Sequence, residues 1–192
     1  MIDTARIEKA VASIIEAIKE DPRREGLADT PRRIAEMYAE VFMGIDLDPK
    51  AELTVSFNEG HDEMVILKDI PFYSMCEHHF LPFYGVAHIG YIPSGGRVVG
   101  ASKLARVVEI LAKRPQIQER LTTQIADTII QALQPQGVAV IVQAEHMCMT
   151  MRGIKKPGSN VLTSATRGLF RKNAATRAEF LSLVQGGGRY EP

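Results

Sequence analysis

The chain has 192 residues, 45% of them hydrophobic, and its 23 Lys and Arg balance 23 Asp and Glu. That length bounds it to one domain, or one domain with an extension, and the balance excludes the global field that would gather nucleic acid or an anionic membrane. No run approaches the roughly 18 apolar residues of a membrane helix, and the N-terminus is mixed and charged, unlike a signal peptide, so a cytoplasmic protein is expected.

From Thr4 to about Lys19 the positions Ile7, Val11, Ile14, Ile15 and Ile18 follow a helical period, which predicts an amphipathic helix. Asp21 to Asp29 reads as a loop. A second helix opens with Thr30 as N-cap and Pro31 in its first turn, continues through Ile34, Met37, Tyr38, Val41 and Phe42, and meets Gly44 as its stop. Beyond about Glu52 the period shifts towards two, predicting strands at Met64 to Leu67, Tyr84 to Ile92 and Gly137 to Met151, with a Gly95-Gly96 turn before a short Arg97 to Val99 run. Two helices intervene, Ser102 to about Lys113 and Pro115 to about Leu133. A strand near Val161 to Thr166, a helix near Ala175 to Val184 and a loose Gly-rich tail, Gln185 to Pro192, end the chain. The pattern predicts an α+β domain, an antiparallel sheet covered on one side by helices.

Two cysteines in a chain without an export signal read more readily as ligands or reactive thiols than as a disulfide. Cys76 and His79 in Ser74-Met-Cys-Glu-His-His-Phe80 let one loop present two ligands to one ion. In Glu145 to Arg152 the strand's alternation puts His146, Cys148, Thr150 and Arg152 on one face and packs Met147, Met149 and Met151 into the core. Cys76, His79 and Cys148 leave a fourth position for water, as a catalytic zinc requires. His78 or His146 could fill it, but adjacent histidines in an extended loop point apart, and His146 lies one strand step, about 7 Å, from Cys148, a distance that suits a proton donor. A closed zinc staple, or two buried thiols without metal, is the structural alternative. His88 reads as a hydrogen-bonded sheet residue and His61 as solvated.

Gly100 to Arg106 opens a helix with Ser102 at the cap and Lys103 and Arg106 one turn apart, a phosphate cradle or simply a solvated basic turn. Arg152 would bring a further cation to the metal face. Gln118, Glu119 and Arg120 fall off the apolar stripe of their helix and read simply as a polar face, although a carboxylate there is what guanine's N1–H and exocyclic amine would seek.

At these residues the chain resembles the GTP cyclohydrolase I family. The likeness runs, in order, through Asp29-Thr-Pro-Arg-Arg33, Ser74 to His79, Gly90-Tyr-Ile-Pro93, Ala101 to Arg106, Arg114 to Arg120, His146-Met-Cys-Met149 and Met151-Arg-Gly153. The resemblance implies Zn2+ on Cys76, His79 and Cys148, proton transfer by His78 and His146 with Ser102 assisting, and guanine on Gln118 and Glu119. It further implies ribose and triphosphate on Ser102, Lys103, Arg106 and Arg152, with Arg33 reaching in from a neighbouring subunit. Glu36 departs from the pattern, standing where some members carry a lysine near the triphosphate. The implied reaction is hydrolytic opening of the guanine imidazole ring of GTP at C8, release of formate and rearrangement to 7,8-dihydroneopterin triphosphate. The implied architecture is a tunnelling fold closed into a barrel by several subunits, a homodecamer with sites between subunits. Residues 1–50 would form a helical extension and 51–192 the catalytic domain. Rival readings are a pterin synthase, which would need three histidines on zinc, a nitrile reductase with a cysteine nucleophile, and a purine-nucleotide-binding, zinc-stapled assembly module without catalysis.

Overall fold

A computed structural model of the chain describes residues 2–186, so the tail prediction beyond Gly186 lies outside the described residues. Helices α1 (Thr4–Ala17) and α2 (Thr30–Val41) pack against each other. The helical stripe of α1 buries Val11 and Ile15, whereas Ile14 and Ile18 stay exposed. Asp29, not Thr30, is the N-cap of α2, and Pro31 sits in its first turn. Gly44 serves close approach to the later helix Ala101–Ala112, not helix termination. A Cβ there would come 2.0 Å from the Ile110 carbonyl oxygen, and its N–H donates to Lys113 O at 3.0 Å.

A 3₁₀ turn, Pro49–Leu53, leads into the sheet region: β1 (Ser56–Asn58), β2 (Val65–Cys76), β3 (Pro82–Ile92), β4 (Arg97–Val99), α3 (Ala101–Ala112), β5 (Pro115–Gln116), α4 (Gln118–Leu133), β6 (Gly137–His146), α5 (Met147–Thr150), β7 (Asn160–Gly168), α6 (Leu169–Lys172) and α7 (Ala174–Gln185). The main sheet runs β5-β2-β3-β6-β7, antiparallel apart from the short β5 contact, and β1 pairs β4 separately. The α+β class and the helical pair on one face are as expected. Alternation sends Ala87, Ile89 and Tyr91 of β3 and Val138, Val140 and Val142 of β6 towards that pair, where Leu104, Val107, Leu121 and Ile125 meet them in the principal core.

The opposite face has a second, smaller core that the sequence pattern did not predict. Phe170 and Phe180 from α6 and α7 pack there on Ile92, Ala139 and Ile141. The Phe180 ring lies where a side chain on Gly90 would go, with 2.7 Å to its Cβ, so the glycine admits the aromatic residue.

β2 carries a bulge between Leu67 and Ile70, with Asp69 at φ 57. A bulge orphans a ladder donor. Here the Asp69 N–H donates to His88 Nδ1 at 3.1 Å, which makes His88 the hydrogen-bonded sheet residue expected; His61 is exposed. Burial pushes the His88 pKa below the usual imidazole value, with Asp69 opposing and Lys68 adding to the fall. The unfolded chain therefore binds this proton more readily than the folded one. Stability is fully present above the unfolded pKa, about 6.5, and is lost as pH falls from there towards the folded value. His88→Asn keeps an acceptor for the Asp69 N–H and cannot take the proton. Urea unfolding at pH 7.5, 6.0 and 5.0 is expected to show a shallower loss of stability in this variant than in the parent. Identical slopes would mean that His88 does not titrate with folding.

Candidate metal centre and its surroundings

The sheet register assembles the metal group. At the end of β2 the chain reverses: the N–H groups of His79 and Phe80 donate to Cys76 O at 3.3 and 2.8 Å, and Cys76 N–H donates to Leu81 O at 2.9 Å. Phe80 takes φ 50 in that turn. β3 then pairs Pro82 with Met75 on one side and Phe83 with His146 on the other, so a single strand separates the turn from the end of β6. Cys76, His79 and Cys148 thereby bring one ligand atom each within 4.8 Å of one another. Ligand atoms about 2.0–2.3 Å from a shared ion need little further movement than that, and two thiols with an imidazole form a donor set that suits zinc. Burial and the neighbouring Cys76 thiol push the Cys148 pKa up.

Two local expectations are corrected. β6 stops at His146, and Met147–Thr150 form a helical turn closed by Met151 N–H to Met147 O at 3.1 Å. Strand alternation therefore does not carry Cys148, Thr150 and Arg152 to one face; the turn delivers Cys148. The methionines do not pack as a core stripe either, since none of residues 147–150 is buried and Met151 is exposed.

Around the metal group, Arg152 Nη1 lies 3.2 Å from His79 Nε2. His78 is exposed, with its ring edge-on to that of His79 at 6.3 Å and 88°. His78 is not among the three residues whose ligand atoms converge. The His146 ring stacks on Phe83 at 4.6 Å and 3°.

Gln118 departs from its expected place on a polar face. It is 1% exposed, and its amide nitrogen donates to Val142 O and Val161 O, both at 2.9 Å, and to Thr163 Oγ1 at 3.1 Å. Those carbonyls fix the amide orientation, so Gln118 Oε1 faces His146 Nε2 at 2.8 Å and accepts its proton. His146 is thus the Nε2–H tautomer, with Nδ1 left as an acceptor. The side-chain amide of Gln118 is thus buried against His146. Burial holds the His146 pKa below its ordinary value, with Glu119 opposing.

Glu119 itself is exposed beside this pair. The neighbouring Arg120 reaches Glu77, between the two ligands of the turn, through both Nη atoms of its guanidinium, the Nη2 contact being 3.1 Å. This brace between α4 and the turn has no signal in sequence spacing.

Lys103 and Arg106 do converge, but on Glu52. Ser102 is exposed in the first turn of α3, whose N-cap is Gly100. Arg33 is paired with Asp29 and Glu36 with Arg32 on α2. A largely apolar cleft of about 800 Å³ runs beside the metal turn, lined by Tyr38, Phe72, Met75, Phe80 and Arg106. It contains none of the three ligands.

A family model described as GTP cyclohydrolase I matches residues 7–185. The chain belongs to that family. Among curated GTP cyclohydrolase 1 relatives it is similar to that of Pelotomaculum thermopropionicum, 64% identical over 186 residues that cover 97% of this chain and 99% of the relative. It is also similar to that of Dehalococcoides mccartyi, 67% identical over 186 residues covering 96% and 98%. The relative from Geobacillus kaustophilus is 61% identical over 184 residues, covering 96% and 98%.

Cys76→Ser, His79→Ala and Cys148→Ser are each expected to drop bound metal well below one per chain by elemental analysis, because two ligands make a poor site. His146→Ala is expected to keep its metal while losing turnover. Metal loss in that variant would move His146 onto the ion.

Proposed function

We propose that the chain is a zinc-dependent GTP cyclohydrolase I. It hydrolyses the guanine imidazole ring of GTP at C8, releases formate and yields 7,8-dihydroneopterin triphosphate, at the head of a tetrahydrofolate or pterin pathway. The observation that carries this reading is the convergence of Cys76, His79 and Cys148 next to His146 and Arg152 in a chain of this family.

Cys76, His79 and Cys148 would hold the ion, whose Lewis acidity supplies a water nucleophile near neutral pH. Glu119, exposed at the first turn of α4, accepts from guanine N1–H and the exocyclic amine. His146 moves protons at the imidazole ring. Its Nε2–H is committed to Gln118, so Nδ1 is the atom that takes a proton, and the stack on Phe83 holds the ring plane. His78, on the exposed side of the turn, and Ser102 share with His146 the proton transfers by which the formamide is cleaved and the ribose opens and recloses. Lys103, Arg106 and Arg152 receive the triphosphate.

The same proposal takes residues 1–50 as a helical extension and 51–192 as the catalytic domain, and assigns the work to the cytoplasm. It also makes the protein a homo-oligomer, a decamer in the resemblance, with Arg33 crossing to a neighbour's site. The sheet supports self-association. Among the described residues β2 has an outer partner only at Met75 and Cys76, β7 has none on its outer side, and Tyr73 and Leu162 are exposed at 74% and 66%. Open, apolar strand edges of that kind need covering.

Incubation with GTP is expected to release formate, one per GTP consumed. Absence of formate from metal-loaded protein would defeat the activity, and a fully active monomer in sedimentation would defeat the assembly. Arg152→Ala is expected to weaken GTP binding by roughly ten- to a hundredfold, since a charge-assisted hydrogen bond contributes about 1.5–3 kcal/mol. Its metal content should be unchanged, and its discrimination between GTP and GMP should fall.

A further inference from the structure

Lys103 Nζ and Arg106 Nη1 both reach the same carboxylate oxygen, Glu52 Oε2, at 3.1 and 3.4 Å. Two cations one helical turn apart thus converge on one anionic oxygen. That is what a phosphate oxygen would offer them. Glu52 comes from a different part of the chain, the 3₁₀ turn Pro49–Leu53, and the turn is anchored independently of the ion pair: Leu53 is buried in the core, and Asp48 caps the turn through Lys50 N–H at 3.0 Å. The Glu52 side chain is one-quarter exposed, so it can rotate away while its backbone stays. The Lys103 contact, with Arg106 assisting, holds its carboxyl below the ordinary range, so the group is charged whenever a nucleotide would arrive.

We infer that Glu52 is an internal stand-in for phosphate, neutralising Lys103 and Arg106 in the empty site and competing with the triphosphate for them. The inference rests on the reading that these two cations receive the triphosphate. Without a counter-anion, two neighbouring cations would repel each other and sample many rotamers; the carboxylate keeps them pointed at one place. A polyphosphate that contacts both cations at once displaces it. The product keeps its three phosphates, so the returning carboxylate helps to release it. Glu52 therefore lowers affinity for phosphate-bearing ligands, the opposite sign from a residue that merely supports the site.

The test compares the metal-loaded parent with Glu52→Gln, Glu52→Ala and Lys103→Ala, using inorganic tripolyphosphate and guanosine as calorimetric probes. Loss of a competing carboxylate that makes two partly exposed ion pairs is expected to tighten tripolyphosphate binding by about three- to tenfold in both Glu52 variants. Guanosine, which has no phosphate, should bind unchanged. Tripolyphosphate binding that stays the same or weakens in a Glu52 variant overturns the inference and makes Glu52 an organiser of the cations. Weaker guanosine binding likewise marks a structural role. The underlying phosphate reading fails separately, and takes the inference with it, if Lys103→Ala alone leaves tripolyphosphate binding unaltered.

Discussion

The pairing register of β3 with both of its neighbours is the constraint on which the site depends. β3 matches Pro82 to Met75 across one edge and Phe83 to His146 across the other, and the two segments bearing sulfur ligands leave the sheet just beyond those pairs. A slip of one residue on either side would move a ligand by about 3.3 Å and turn its side chain to the other face. Core burial resists that slip. Phe83, Ala87, Ile89, Val138, Val140 and Val142 are all wholly buried, and any shift would exchange them for the opposite set. The metal geometry is thus paid for by apolar burial far from the metal.

Several parts of this arrangement were legible in the sequence because they depend on local pattern. The helical stripe of α4, the alternation of β3 and the Cys76-to-His79 spacing all follow from patterns that operate within a few residues. What escaped was decided by partners distant along the chain. Alternation through residues 145–152 looks like uninterrupted strand, yet pairing with β3 ends at Phe83–His146 and pairing with β7 ends at Glu145–Asn160. With its ladder partners gone, the backbone closes a helical turn and carries Cys148 with it. Gln118 looks like part of a polar helix face, but the first residue of α4 abuts the carbonyls of β6 and β7, and an amide can satisfy both while presenting its oxygen to His146. Neither the Glu77–Arg120 brace nor the Glu52 pairing has a sequence signature, since their partners lie 43 and 51–54 residues apart.

The N-terminal helices bear on the metal turn more directly than the word extension suggests. Tyr38 of α2 and Phe42 at its C-cap pack against Phe80, with ring centroids 6.4 and 5.5 Å away. Phe80 is the residue whose left-handed backbone closes the turn after His79. An aromatic side chain in that conformation is strained unless its surroundings hold it, and α2 supplies the surroundings. The junction is fastened at its other end as well, where Arg114 donates to Leu47 O at 2.7 Å and Gly44 N–H to Lys113 O at 3.0 Å. The C-terminal end of α2 and the residues just after it are therefore held against both α3 and the ligand turn, which couples the helical segment to the shape of that turn.

Zero net charge leaves electrostatic recognition to local arrangements, and here cations come in two kinds. Arg32, Arg33, Lys103, Arg106, Arg120 and Arg167 each have a carboxylate partner. Arg152 differs: among the described residues it has no carboxylate partner, and its guanidinium lies against the ring nitrogen of His79. An anion arriving at Arg152 displaces no competing charge, whereas one arriving at Lys103 and Arg106 must exchange with Glu52. On the proposed reading, the first contact of a polyphosphate would be easiest beside the three candidate ligands, and the second would require enough negative charge and reach to replace a carboxylate. A neutral chain can in this way respond strongly to a highly charged ligand and weakly to a singly charged one, with the difference residing in how its cations are paired and not in how many it has.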